Sequence, residues 1–244
     1  MLKKKNILWI GLLILLSCQW VCAQTPPDQT KEVTGRKAWI MTTAMPDDVT
    51  NPLKIISDGE LEELKIYTRS IGQPVKVDAT GIVRAVKEVI GEDGEVLYEN
   101  LSMSIVPEGV REALIVLVPR KAGAGGLRFN SKVIDLAEFK AGGILYVNLV
   151  GTSIGIAIGK HKAVVKPGGM EFINPLEGSN KAVIHIGFFY EVPAKPNAEW
   201  KLMTSFKMAI YESRREICIF FYNPKIENVD FRGVPFITPK PTQR

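Results

Sequence analysis

Two stretches set the terms for any fold of this chain: Ala113-Leu114-Ile115-Val116-Leu117-Val118 and Ile217-Cys218-Ile219-Phe220-Phe221. Each follows a charged pair, Arg111-Glu112 or Arg215-Glu216, and each is stopped by a proline, Pro119 or Pro224. A strand with one wet face alternates apolar and polar side chains, so a strand that is apolar throughout must be central. Proline lacks the ladder donor and ends the pairing. One such strand in each half predicts two tandem Ig-like sandwiches, or one duplicated unit. A weaker likeness runs the same way, because Ser70-Ile71-Gly72 and Ser153-Ile154-Gly155 each begin a β-run.

Short β-rich runs separated by turn signals fill the rest. Ala38 to Thr43 precedes a turn at Pro46-Asp47-Asp48, and Lys54-Ile55-Ile56 precedes Ser57-Asp58-Gly59. Glu62 to Thr68 reads as a helix through Leu61, Leu64 and Thr68, or as a strand through Ile66, Tyr67 and Thr68. Asp93-Gly94 is a hairpin signal between Ile82–Val89 and Val96–Ile105. About a dozen short strands without a sustained helical period predict an all-β, antiparallel β-sandwich architecture. Lys121-Ala122-Gly123-Ala124-Gly125-Gly126 is the most loop-like interior stretch and the expected domain boundary. The expected domains are residues 37–120 and 127–237, between a disordered leader at 24–36 and a mobile tail at 238–244.

The N-terminus gives an address. Lys3-Lys4-Lys5, an uncharged apolar run from Ile7 to Leu16, and Val21-Cys22-Ala23 together predict a secretory signal peptide over residues 1–23. The run is too short to span a membrane. Leu15-Leu16-Ser17-Cys18 offers a competing reading as a lipobox, with lipid-modified Cys18 as the mature N-terminus. Cleavage before Gln24 removes three lysines, so the formal net charge of +5 over the whole chain falls to +2. That leaves no basic footprint for nucleic acid. Of three cysteines only Cys218 survives cleavage, in an apolar strand. An exported chain without a disulfide depends on its core for stability.

A further string carries a likeness. Phe139-Lys140-Ala141-Gly142-Gly143 leads into Leu145-Tyr146-Val147-Asn148-Leu149, and Lys166-Pro167-Gly168-Gly169 and Arg215 to Pro224 follow. Residues 113–236 resemble an uncharacterised family of small bacterial secreted β-sandwich proteins, in which a Phe-x-Ala-Gly turn precedes a strand ending in Asn-Leu. The resemblance implies a β-sandwich and an exported location, and it implies no activity.

The sharpest chemical string is Gly151-Thr152-Ser153-Ile154-Gly155, a formal G-x-S-x-G. In hydrolases that string turns from a strand into a helix. Here Ile154 to Gly159 is broken by glycine and rich in β-branched residues. A triad has only His161 and His185 to draw on, with Glu171 or Glu177 ahead of His185 as the acid. Gly155 to Lys160 lacks the spacing of a phosphate loop. Asp58-Gly59-Glu60 and Asp93-Gly94-Glu95 read as hairpin turns before calcium ligands. Lys160, His161, Lys162 and Lys166 read as the solvated face of a strand, and the aromatics of the last third as core. No catalytic residue, cofactor or metal ligand is therefore predicted. The expected function is that of an exported, non-enzymatic envelope interaction module, with another envelope protein or a cell-surface polymer as partner. The alternatives are a secreted serine hydrolase around Ser153 and a carbohydrate-binding module.

Overall fold

The computed structural model describes residues 35–120, 126–137, 139–192, 199–223 and 226–236. The expected signal peptide, residues 24–34 of the leader, and the tail lie outside them. Sixteen strands and no helix form the regular structure of the described residues. In the first half they are β1 (Lys37–Thr42), β2 (Leu53–Ser57), β3 (Glu60–Leu64) and β4 (Val75–Lys76). Then come β5 (Ile82–Ile90), β6 (Val96–Ile105), β7 (Glu112–Pro119) and β8 (Phe129–Asp135). The second half has β9 (Ile144–Asn148), β10 (Ile154–Ile158), β11 (His161–Val165) and β12 (Met170–Ile173). It ends with β13 (Lys181–Val192), β14 (Glu199–Tyr211), β15 (Arg215–Asn223) and β16 (Asn228–Phe236).

These strands form four sheets of four. Sheet I has the order β3-β2-β5-β6, sheet II β4-β1-β7-β8, sheet III β12-β9-β15-β16 and sheet IV β11-β10-β13-β14. Each strand of the first half has its counterpart eight strands later, so one eight-stranded sandwich occurs twice in tandem. Pairing is antiparallel except for β1 with β7 and β9 with β15, which run parallel. Even the irregularities repeat. The ladder slips at Ala85/Val86 in one half and at Phe188/Phe189 in the other, with Ala85 opposite Ile55 and Phe188 opposite Ile156.

Three cores explain the two wholly apolar strands. One core lies between sheets I and II and another between sheets III and IV. The third joins Met41, Leu114 and Val116 of sheet II to Val147, Ile217 and Ile219 of sheet III. Sheets II and III thus pack against each other, and their inner strands have no wet face. β7 turns Ala113, Ile115 and Leu117 into its own sandwich and Leu114 and Val116 into the shared core. β15 does the same with Cys218 and Phe220 on one side and Ile217 and Ile219 on the other. Trp39 of β1 meets Phe236 of β16 edge-on across this layer, with ring centroids 5.2 Å apart.

The detailed match between halves differs from the one read in the sequence. The amide of Thr43 bonds the carbonyl of Leu117 (3.0 Å), and that of Leu149 bonds Phe220 (2.9 Å). These equivalent bonds align Leu117 with Phe220, and therefore Arg111 with Arg214 rather than Arg215. Ser70-Ile71-Gly72 precedes β4 while Ser153-Ile154-Gly155 leads into β10, so those two strings occupy unrelated places. The stretch from Glu62 is strand and irregular chain: β3 ends at Leu64, Ile66 is buried in the first core, and Tyr67 bridges Met41.

The expected domain cut is displaced. Residues 121–125 lie outside the described residues, but the strands on either side pair from Pro119 with Phe129 to Ala113 with Asp135. The stretch therefore joins two strands of one hairpin, and β8 belongs to sheet II. The passage between sandwiches is residues 136–143. There Leu136 and Phe139 are buried in the shared core. Gly142 has a φ of +80°, and a Cβ on Gly143 would lie 2.3 Å from the Phe172 ring, so both positions require glycine. At the N-terminal end, Arg36 was expected in the leader. Its guanidinium instead donates to the carbonyls of Asp78 (2.6 Å), Pro107 (2.8 Å), Val106 (2.9 Å) and Val110 (3.1 Å).

Candidate functional site

Ser153 sits in the connection from β9 to β10, which passes from sheet III to sheet IV. Thr152 Oγ1 donates to the carbonyl of Glu191 (2.6 Å), and the amide of Glu191 donates to that of Ser153 (3.0 Å). The connection is thereby stitched to β13. Beyond Ser153 the chain runs straight into strand β10, with no helix to form a nucleophile elbow. Gly155 makes room for Trp200, whose ring would lie 3.1 Å from a Cβ there, and Gly159 makes the next turn with a φ of +55°. The histidines have other neighbours. His161 Nε2 is 3.3 Å from Glu177 Oε1, and His185 Nε2 is 2.9 Å from Ser205 Oγ on the neighbouring strand. The structure joins His161 to one of the expected acids and pairs His185 with Ser205. Glu171 stands on β12 opposite Tyr146.

The basic string is divided by strand geometry. Lys160 pairs with Glu177 at 2.7 Å, and the hydrogen bond from Lys160 holds the Glu177 carboxyl below its ordinary range. Lys162 projects to the opposite face of β11 from His161. Asp58 pairs with Lys76, and Asp93 accepts from the amide of Glu95 (3.1 Å). Asp93 thus serves its own turn, while Asp58 reaches a strand of sheet II. Among the described residues no group of three histidine, cysteine, aspartate or glutamate side chains is arranged to hold a metal ion.

The interior of the second sandwich holds the arrangement that sequence reasoning missed. Hydrogen-bond register aligns Ile40, Ala113, Ile115 and Val133 of sheet II with Tyr146, Glu216, Cys218 and Gly233 of sheet III. The first set fills its sandwich with small aliphatics. The second leaves a cleft of about 310 Å³, lined by those four residues together with aromatics and Met208, and open to solvent where Gly233, Pro235 and Arg214 are exposed. A Cβ added to Gly233 meets no atom within 4 Å. On the far wall Phe188 stands edge-on to both Phe220 and Phe231 at 5.0 Å, and Phe206 stacks on Phe231 at 5.9 Å. The sandwich edges differ too. In the first, the amide of Arg128 bonds the carbonyl of Leu101 (2.9 Å) and Ser131 Oγ bonds that of Met103 (3.2 Å), which ties β8 to β6. No backbone bond joins the described residues of β16 and β14.

Three polar groups face this space. Tyr146 is wholly buried and its hydroxyl has no hydrogen-bond partner. Burial pushes its ionisation far above the usual phenol range. Glu216 is half-buried at the end of the inward row. Burial raises its carboxyl above the ordinary value, with the nearby Arg214 acting in the opposite direction. Cys218 is pushed well up by burial, so it stays a protonated thiol and a poor nucleophile. The sequence signal for the site was faint: a glycine inside a strand pattern at 233, and a glutamate whose facing depends on register. No protein-family model matches the chain, and no curated protein matches it.

Proposed function

We propose that this is an exported, non-enzymatic protein of two tandem Ig-like sandwiches that works as an interaction module of the cell envelope, with another envelope protein as its partner. The signal-like N-terminus supports export. The observation that carries the interaction reading is the outer part of the β5–β6 hairpin. Ile90, 67% exposed, lies opposite Val96, and Tyr98 projects from the same face. β6 is an edge strand of sheet I, and an edge hairpin with a row of exposed large apolar side chains marks a surface that is covered in use. The equivalent β13–β14 hairpin exposes Trp200 and Leu202.

The test is a photo-crosslinking amino acid at position 96 in the native host, with position 162 as the control. The expected result is one discrete crosslinked species from position 96 in the envelope fraction, containing a chain that begins at Gln24. Equal crosslinking from both positions would overturn the reading. Covalent labelling by a fluorophosphonate probe that disappears in Ser153→Ala would overturn its non-enzymatic part.

A further inference from the structure

We propose that the cavity of the second sandwich binds a small uncharged ligand with an aliphatic or aromatic body and a single hydroxyl or arylamine group. The site is a cleft between sheets III and IV, apart from the hairpin surface, so it goes beyond the interaction reading and stands or falls separately.

The first sandwich is the internal control. It has the same strands, the same order and the same bulge, and it fills the matching positions with Ile40, Ala113, Ile115 and Val133. The second places Gly233 where the first has Val133, on a strand where valine is the better residue. The cleft opens to solvent at Gly233, so its apolar lining stays in contact with water unless a ligand covers it. At about 310 Å³ the space is at the lower end of ligand pockets. It is equivalent to roughly ten waters at about 30 Å³ each.

The lining specifies the chemistry. Phe188, Phe206, Phe231 and Met208 select an apolar body. The unpartnered hydroxyl of Tyr146 carries a desolvation cost that phenylalanine would not, unless something in the cavity bonds it. A ligand hydroxyl can accept from Tyr146 and donate to the Glu216 carboxylate, which opens on the same space, and an arylamine N–H can donate to one of the two. The apolar lining disfavours a full charge of either sign because it must be desolvated, and the Glu216 carboxylate adds repulsion against an anion.

N-phenyl-1-naphthylamine is an uncharged two-part aromatic with one N–H, and its fluorescence rises in apolar sites. The full-length protein is expected to bind it saturably, one per chain. The anionic anilinonaphthalene sulfonate should bind at least about tenfold more weakly, because its charge must be desolvated beside Glu216. Gly233→Val borrows the residue of the first sandwich and fills the space. It should weaken binding of the uncharged probe by about tenfold or more, with the melting temperature unchanged or raised. Gly233→Ala should fall between, which keeps the test decisive if the valine variant fails to fold. Tyr146→Phe should cost about fivefold in affinity. Absence of saturable binding, or wild-type affinity in a folded Gly233→Val or Gly233→Ala variant, would overturn the proposal.

Discussion

Asn148 is a polar side chain that the interior is built around. It ends β9, is wholly buried, and donates through Nδ2 to the carbonyls of Thr152 and Val165, both at 2.8 Å. Its Oδ1 accepts from the amide of Val150 at 2.9 Å. Thr42 is its counterpart in the first sandwich and bonds the carbonyls of Ala44 (2.5 Å) and Leu117 (3.0 Å). Asn148→Ala would strand three buried backbone groups, and urea denaturation should show a loss of about 2–4 kcal/mol. A loss below about 0.5 kcal/mol would mean the loop finds other partners. Glu216 predicts a pH dependence. Its folded pKa is raised, so the protonated form stabilises the fold below the ordinary carboxylate range and that stability is lost as pH rises. Glu216→Gln should therefore melt higher than wild type at neutral pH, and the gap should close on acidification below about pH 4. A gap that stays constant with pH would remove Glu216 as its source. Asn148 was visible in the sequence as the end of a strand motif. The inward facing of Glu216 was not, because a shift of one residue reverses the face of every side chain in a strand.

Strands were legible because turn chemistry and apolar runs are local signals. The partition of strands between sheets was not. The glycine-rich stretch at 121–126 has the composition of a linker, yet β7 and β8 on either side pair along their length. The true passage contains Leu136 and Phe139 and looks like core, since it is core. Composition reports on the freedom of the local chain, whereas sheet membership is fixed by pairing between distant residues. The same reasoning explains β7 and β15. Their apolar character was readable, but the shared layer between sandwiches that causes it was not. Ile219 of β15 is fully buried in that layer. Ile219→Ala should cost about 2–5 kcal/mol by chemical denaturation. Ile82→Ala, at an exposed site on β5, should stay within about 0.5 kcal/mol of wild type. Similar losses at both sites would count against a packed layer between sheets II and III.

At the scale of the whole molecule, the duplication gives two scaffolds with different interiors. The first fills the positions of sheet II that match the cleft and is tied along the β6–β8 edge, whereas the second opens a cleft there. In many tandem proteins each domain has only its own core and the linker couples them weakly. Here sheets II and III bury Met41, Leu114, Val116 and Ile134 against Leu145, Val147, Ile217 and Ile219. Neither sandwich can unfold alone without exposing its half of that layer to water. The cost of exposing it couples the two transitions, since large apolar side chains contribute about 1.5–3 kcal/mol each when fully buried. Scanning calorimetry of the full chain should therefore show one transition, with calorimetric and van't Hoff enthalpies in agreement. Val116→Ala, made in the first sandwich, should lower that single transition without splitting it. Two resolved transitions in the wild type would show that the shared layer is too weak to couple the repeats. A chain ending at residue 137 extends the test. It keeps all of β1 to β8 but leaves the sheet II face uncovered, so it should bind anilinonaphthalene sulfonate more strongly than the full chain and self-associate on size-exclusion chromatography. A monomeric fragment with the melting temperature of the full chain would refute the coupling.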